Sequence, residues 1–463
     1  MIKILKKLCK EETVDKIARI FIYAFIAECT FGSSGRWISF GPISIRILLF
    51  AICFIATLPA VFRNIKAISR NFQVVVTVCF GFYLLICALI GLVSGNDKSF
   101  IWADLSTLMT LALFPGFMAV MCNKKSIKQA IDIVFWTSTI FAAATVVFHI
   151  VLPFLQTGTI VSINNMINKA SLGGFAQMQT GVQRIFMKSQ IFFQVSIIYG
   201  VWKIISGGSI KSKVLFSVCI GVLFSGCILS YTRGFWVGLA ASAVIVFIFS
   251  IKYWKKYVKT FTMAFSVFLL IFSLSWAVYQ SPVAFVEIIN RFNPNLIVID
   301  GINDDEIDFE QFDEDDSVEK NNFEAASIRN QSLKLSKEKI AQSPIFGNGL
   351  GENLDQIRDD GKIEYMYIDM TMKTGVLGTL IFIITFFGFV IIQILQDLNI
   401  RKFGLESAVY EKVKYRNLFL IAAYLGVAVT SFFNPFLNNP MGIMLLMLTA
   451  TAVYDGKQKN REV

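Results

Sequence analysis

Long apolar runs alternate with short polar connections from one end of the chain to the other. About twelve of the runs have the roughly 17–25 residues a helix needs to cross about 30 Å of hydrocarbon. They fall near 17–30, 42–62, 72–94, 100–121, 130–152, 185–205, 214–231, 234–250, 261–280, 366–395, 417–434 and 438–454. In lipid, each backbone polar group has to be satisfied within its own segment, so the pattern predicts an all-α, polytopic integral membrane protein. The expected organisation has three parts: residues 1–280 hold nine spans and an outer loop at 153–184. Residues 281–365 form an extracytoplasmic loop domain, and residues 366–463 hold three spans and a cytoplasmic tail.

The connections orient this arrangement. Alternate ones are basic: "MIKILKKLCK", "FRNIKAISRN", "CNKKSIKQ", "KIISGGSIKSK", "KYWKKYVK", "RKFGLESAVYEKVKYR" and "DGKQKNREV". Lys and Arg gather in cytoplasmic loops, which predicts a multi-pass membrane protein with both termini inside. The net charge of +11 is thereby an orientation signal and calls for no nucleic acid. Only 16% of residues are charged, against about 25% in soluble proteins. No removable signal peptide is recognisable, so the first span is expected to stay in place.

Eight scattered cysteines have no metal or redox spacing and read as packed thiols. The single histidine, His149, reads as a packed or interfacial side chain. Neither metal nor cofactor is expected.

The outer connections carry the unusual residues. Pro153–Arg184 is polar and rich in Asn, Gln and Gly. Ser281–Tyr365 contains an acidic stretch at 302–320, which lacks the alternating carboxylates and turn glycine of an EF-hand loop. It reads as a solvated stretch, and the sequence leaves open whether it recruits a length regulator or a cation. A surface helix is expected at 322–342, with an Asn cap at its start, Arg329 in its middle and Pro344 stopping it. Then comes "SPIFGNGLG", Ser343–Gly351. A dinucleotide loop needs a strand before it, and a P-loop needs Lys then Ser or Thr where Glu352 follows. The glycines therefore read as a flexible bend that returns the outer domain to the membrane.

Two motifs and a weaker third carry a resemblance. "SPIFGNGLG" leads into "EYMYIDMTMKTGVLG", with Glu364, Tyr365, Tyr367, Gly375 and Gly378; "LSYTRGFWVGLAA" holds Thr232, Arg233 and Gly234; "GVQRIFMKSQIFF" puts Arg184 at the outer entrance of a span. Together with the preceding helix, these resemble the O-antigen ligase and polysaccharide polymerase family. One position departs from it: Glu364 stands where many members, ligases especially, have histidine.

The resemblance implies a glycosyltransferase-C-like membrane fold and a nucleotide- and metal-independent glycosyltransferase. Its substrate would be a polyprenyl-diphosphate-linked glycan presented at the outer face, in contact with membrane lipids, with a chain-length regulator and a flippase as partners. Arginine binds phosphate oxygens in pairs and stays charged, which suits Arg184, Arg233 and Arg329 to the leaving diphosphate. Glu364 is the candidate general base, and Arg233 and Arg329 complete the expected catalytic set. Arg184, Tyr365, Tyr367 and Lys188 are the expected substrate-binding residues. Lys188, Asp104, Lys373 and Asp369 fall inside apolar runs, where charge usually marks a functional path. The leading reading is a polymerase of surface-polysaccharide repeat units. A ligase, a transporter and a scaffold are the alternatives.

Overall fold

The computed structural model describes residues 11–33, 35–40, 43–177, 182–251, 254–279, 317–354, 363–403 and 408–459, with isolated positions between 282 and 289. Of the acidic stretch, 302–316 lie outside the described residues. The protein is an all-α polytopic membrane protein. Its helices are α1 (Glu11–Phe31), α2 (Ile45–Arg63), α3 (Phe72–Ser94), α4 (Lys98–Leu108), α5 (Phe114–Met121), α6 (Lys124–Val151), α7 (Thr157–Lys169), α8 (Ile191–Ile205), α9 (Ile210–Leu229), α10 (Arg233–Ser250), α11 (Trp254–Tyr279), α12 (Ser317–Gln342), α13 (Met366–Phe403), α14 (Ala408–Thr430) and α15 (Pro440–Lys459). Helix occupies each of the twelve expected spans. Among the described residues, seven stretches are long and apolar enough to cross a membrane by themselves, and Arg233–Phe249 and Pro440–Asp455 are shorter apolar helices.

Local chemistry places the ends. Asn71 Oδ1 accepts from Gln73 N and Val74 N at the start of α3, and Asn123 Oδ1 accepts from Ser126 N at the start of α6, each satisfying amides with no helical partner. Exposed apolar side chains such as Ile55, Phe82, Val93, Leu270 and Ile391 mark faces suited to lipid.

Three expectations change. The run 185–205 is helical only from Ile191; Gln183–Met187 is a strand, and Lys188–Gln190 a 3-10 turn, so Lys188 precedes the helix. The strand (β4) pairs antiparallel with Gly173–Gln177 (β3), which makes the 153–184 loop a helix, α7, followed by a hairpin. A smaller pair, Ser39–Phe40 (β1) with Ile43–Ser44 (β2), precedes α2. The run 100–121 is divided into α4, a 3-10 segment Met109–Leu113 and α5, with Pro115 at the start of α5. Helix α12 starts at Ser317, so Asn321 and Asn322 lie inside it.

α8 is buried on every side from Ile191 to Gly200, as a helix apolar all round should be. It packs on α6, α9, α10 and α14. His149 on α6 is buried, 2.8 Å from Ser275 Oγ on α11.

α10 crosses α14 at close range. Gly234, Gly238 and Ser242 recur every fourth residue on one helix, and Ala422, Gly426 and Thr430 on the other. Ser242 Oγ donates to Ala422 O at 3.0 Å, and Thr430 Oγ1 donates to Gly234 O at 3.1 Å. Between apolar helices in lipid, such close backbone approach and interhelical hydrogen bonding replace the missing hydrophobic drive. A Cβ on Gly238 would overlap Thr430 Oγ1 and come 2.5 Å from Gly426 O. Gly238→Ala is expected to destabilise the protein by roughly 1–3 kcal/mol through overpacking. Gly158→Ala in α7, where nothing lies within 4 Å of the new atom, is expected to be neutral or slightly stabilising. Thermal unfolding of the purified variants in detergent measures both.

Candidate functional site

The site is built on a break in α13. Gly375 has φ 68° and ψ −178°, which interrupts the helical ladder. Carbonyls before the break and amides after it then need partners, and inside a membrane water does not supply them. The Ser343–Gly351 loop does. Asn348 N donates to Met372 O at 3.0 Å and Gly349 N to Lys373 O at 3.0 Å. Val376 N donates back to Pro344 O at 2.8 Å and Leu377 N to Ile345 O at 3.2 Å. Tyr83 Oη from α3 donates to Thr374 O at 2.8 Å.

The same loop is bound to α3 on its other side. Leu350 N donates to Cys87 O at 3.0 Å, and Asn96 Nδ2 donates to Leu350 O at 3.0 Å. Gly349 has φ +88°, and a Cβ there would overlap the backbone of Gly91. The expected flexible bend is instead a wedge, hydrogen-bonded to α3 and α13.

The wedge positions charge. Asp104 Oδ2 on α4 accepts from Gly351 N at 2.9 Å, while its Oδ1 accepts from Lys373 Nζ at 3.0 Å. Lys373 Nζ also reaches Asp369 Oδ1 at 2.9 Å, one turn earlier on α13. Three of the four charges singled out within apolar runs thus form one cluster.

This cluster lines a cavity of about 420 Å³. Among the described residues its charged lining comprises three cations, Arg46, Lys188 and Lys373, and three carboxylates, Asp104, Glu352 and Asp369. Glu352 also pairs with Lys339 of α12 at 2.7 Å. The turn between α14 and α15 contributes Asn434, Asn438 and Asn439, and Phe100, Phe186 and Phe436 add aromatic surface.

The two motif arginines outside α12 meet at the corner joining α9 to α10. Arg184 on β4 donates from Nε to Ser230 O at 2.9 Å and from Nη2 to Thr232 Oγ1 at 3.1 Å. Arg233 follows Thr232 and opens α10. The corner holds Tyr231 at φ 47°, an uncommon conformation for an aromatic residue. Phe186 stacks on Phe235 at 6.2 Å, and Phe235 packs on Phe436 at 5.5 Å, so aromatic rings link the corner to the cavity wall.

The other expected residues are placed as follows. Lys188 lines the cavity. Glu364 is half-buried and follows Ile363, a lining residue. Tyr365 packs beside Leu354, Ile363 and Met372. Tyr367 donates its hydroxyl to Ala428 O at 3.0 Å and packs on Phe432 at 4.5 Å, between α13 and α14. Arg329 belongs to α12, and its side chain lies outside the described residues.

Two features were not anticipated. One is the asparagine turn after α14. The other is Arg46, near the start of α2, paired with Glu28 of α1 at 2.6 Å and buried with it. A carboxylate and a guanidinium at the edges of successive apolar runs were the available signal.

Fold and cavity together define a multi-pass membrane protein with a charged cavity beside a broken helix. Residues 216–383, from α9 to α13 and just over a third of the chain, match the family model for O-antigen ligase. The chain thus carries a domain of the O-antigen ligase and polymerase family, whose enzymes are glycosyltransferase-like and act on lipid-linked glycans. No curated protein matches the chain.

Lys373→Met leaves Asp104 and Asp369 without their shared cation. With Asp104 24% exposed, the expected loss lies near the lower end of the roughly 3–5 kcal/mol typical of breaking a buried pair. Adding Asp104→Asn is expected to recover part of that loss in the same thermal unfolding measurement. Gly349→Ala, forced into a left-handed conformation against Gly91, is expected to lower the folded yield and melting temperature sharply.

Proposed function

We propose that the protein is a polymerase joining polyprenyl-diphosphate-linked oligosaccharide repeat units into a surface polysaccharide at the outer face of the cell membrane. The observation that carries this reading is the convergence of Arg184 and Arg233 at one helix corner, joined by packed rings to the charged cavity. The acceptor hydroxyl oxygen attacks the anomeric carbon of the donor glycan, and the bond from that carbon to the phosphate oxygen breaks. Polyprenyl diphosphate leaves with the bonding electron pair, and the acceptor proton passes to Glu364. Arg184, Arg233, Arg329 and Lys188 neutralise the departing charge, which a dry site makes far more effective than water would. Tyr365 packs beside Ile363 at the cavity wall and supports the segment that carries Glu364. The energy comes from the diphosphate bond, so the reaction needs neither nucleotide nor metal. Both termini then lie in the cytoplasm, and a flippase and a chain-length regulator act before and beside the enzyme.

A ligase that moves a finished glycan to another acceptor is the second reading, favoured by the description of the matched family. Glu364, at a position where many ligases of the family have histidine, favours the polymerase. A broken helix flanked by charge is also a device of transporters. In this chain the break is filled by the protein's own loop, which supports a fixed site.

Purified protein supplied with a lipid-diphosphate oligosaccharide and no nucleotide is expected to produce a ladder of polymer. Release of single transferred glycans onto a different acceptor would identify a ligase, and no glycosyl transfer at all would overturn the enzyme reading. Arg233→Ala is expected to abolish the ladder while membrane insertion persists. Glu364→Gln is expected to lower turnover by about 10²–10⁴-fold, the usual worth of a general base.

A further inference from the structure

Arg46 is an improbable residue for its position. It lies in the first turn of α2, where the helix dipole disfavours a cation, and it is only 6% exposed. Two of its nitrogens are fixed by the protein: Nε donates to Glu28 Oε2 at 2.6 Å, and Nη2 donates to Ser33 O at 2.9 Å. The Gly35 backbone lies against the guanidinium so closely that a Cβ there would come within 2.6–2.8 Å of Nε, Cζ and Cδ. The planar group therefore has one orientation. Among the described residues no hydrogen bond holds its remaining nitrogen, Nη1, and Arg46 lines the 420 Å³ cavity. Lys188 lines the same cavity. A pair needed only to join α1 to α2 would have no reason to stand at the wall of a polar cavity, because replacing buried pairs by apolar packing is often neutral or stabilising.

We propose that Arg46 is an oxyanion-binding residue of this cavity, presenting its Nη1 edge to a phosphate or carboxylate oxygen of the lipid-linked glycan. The geometry is that of a preorganised fork: Glu28 and Ser33 hold the guanidinium before the ligand arrives, so little side-chain entropy is lost on binding. Glu28 is a positioning residue, acting through Arg46. The assignment lies outside the 216–383 family match and rests on reading the cavity as the donor site. Two sources supply the same chemistry: the diphosphate of the carrier lipid and the carboxylate of an acidic sugar.

The test uses the full-length protein in detergent and two probes, a short-chain polyprenyl diphosphate and glucuronate. Arg46→Lys keeps the charge beside Glu28 but loses the fork. The pair Arg46→Gln with Glu28→Gln removes both charges together, so neither is left buried alone. Wild type is expected to bind at least one probe, with affinity falling about tenfold or more in the double variant and by a smaller factor in Arg46→Lys. A loss confined to the diphosphate assigns Arg46 to the carrier, and one confined to glucuronate assigns it to an acidic sugar. Folded variants that bind both probes as wild type does would overturn the assignment and leave the donor-site reading standing. A wild type that binds neither probe would overturn both. Should the double variant not fold, unchanged affinity in Arg46→Lys is the overturning result.

Discussion

The site depends on an exchange of backbone hydrogen bonds across one interrupted helix. Opening α13 at Gly375 leaves carbonyls and amides that lipid cannot satisfy, each at a cost of kcal/mol. The Ser343–Gly351 segment supplies both donors and acceptors to the gap, and Leu350 N donates a further bond to α3. Because the partners are main-chain atoms, the arrangement is set by conformation and close approach more than by side-chain identity. Its consequence is local and chemical: Gly351 N and Lys373 Nζ converge on one carboxylate, Asp104, and so fix the cavity's most charged wall.

Ion pairs tie down much of the charge around that cavity. Lys373 is shared by Asp104 and Asp369, Arg46 by Glu28 and Ser33, and Glu352 by Lys339. Desolvated pairs contribute little net stability, so their number here points to what the cavity must hold in place. Lys188 is exposed on the turn after β4, where it meets the cavity from a different element.

Much of the fold was legible because hydropathy reports directly on solvent, and helix stands wherever an apolar run was long. The misreading at 185–205 has a physical origin. In "QRIFM", residues with apolar character continue into a buried helix, and a short strand half-covered by protein looks the same as the first turn of a span. The charges Asp104, Asp369 and Lys373 were visible as oddities within oil, but their meeting was not, because Asp104 and Lys373 lie far apart along the chain. Arg46 and Glu28 went unnoticed since each sits near the end of its run, where a charge ordinarily faces headgroups. The glycine segment misled for a related reason: glycine permits either a loose hinge or backbone contact too close for any side chain, and only the neighbours Gly91 and Gly375 decide between them.

The tight crossing of α10 with α14 has an implication for how this architecture is inherited. The family match ends within α13, yet the arginine corner is braced by a helix that lies beyond it. Domain limits drawn from sequence likeness thus cut through a mechanical unit. Exchange of the matched stretch between relatives by recombination would separate this corner from its buttress unless the final two helices travelled with it. Divergence in the C-terminal segment is therefore constrained by steric fit to its partner, even where no residue there takes part in chemistry.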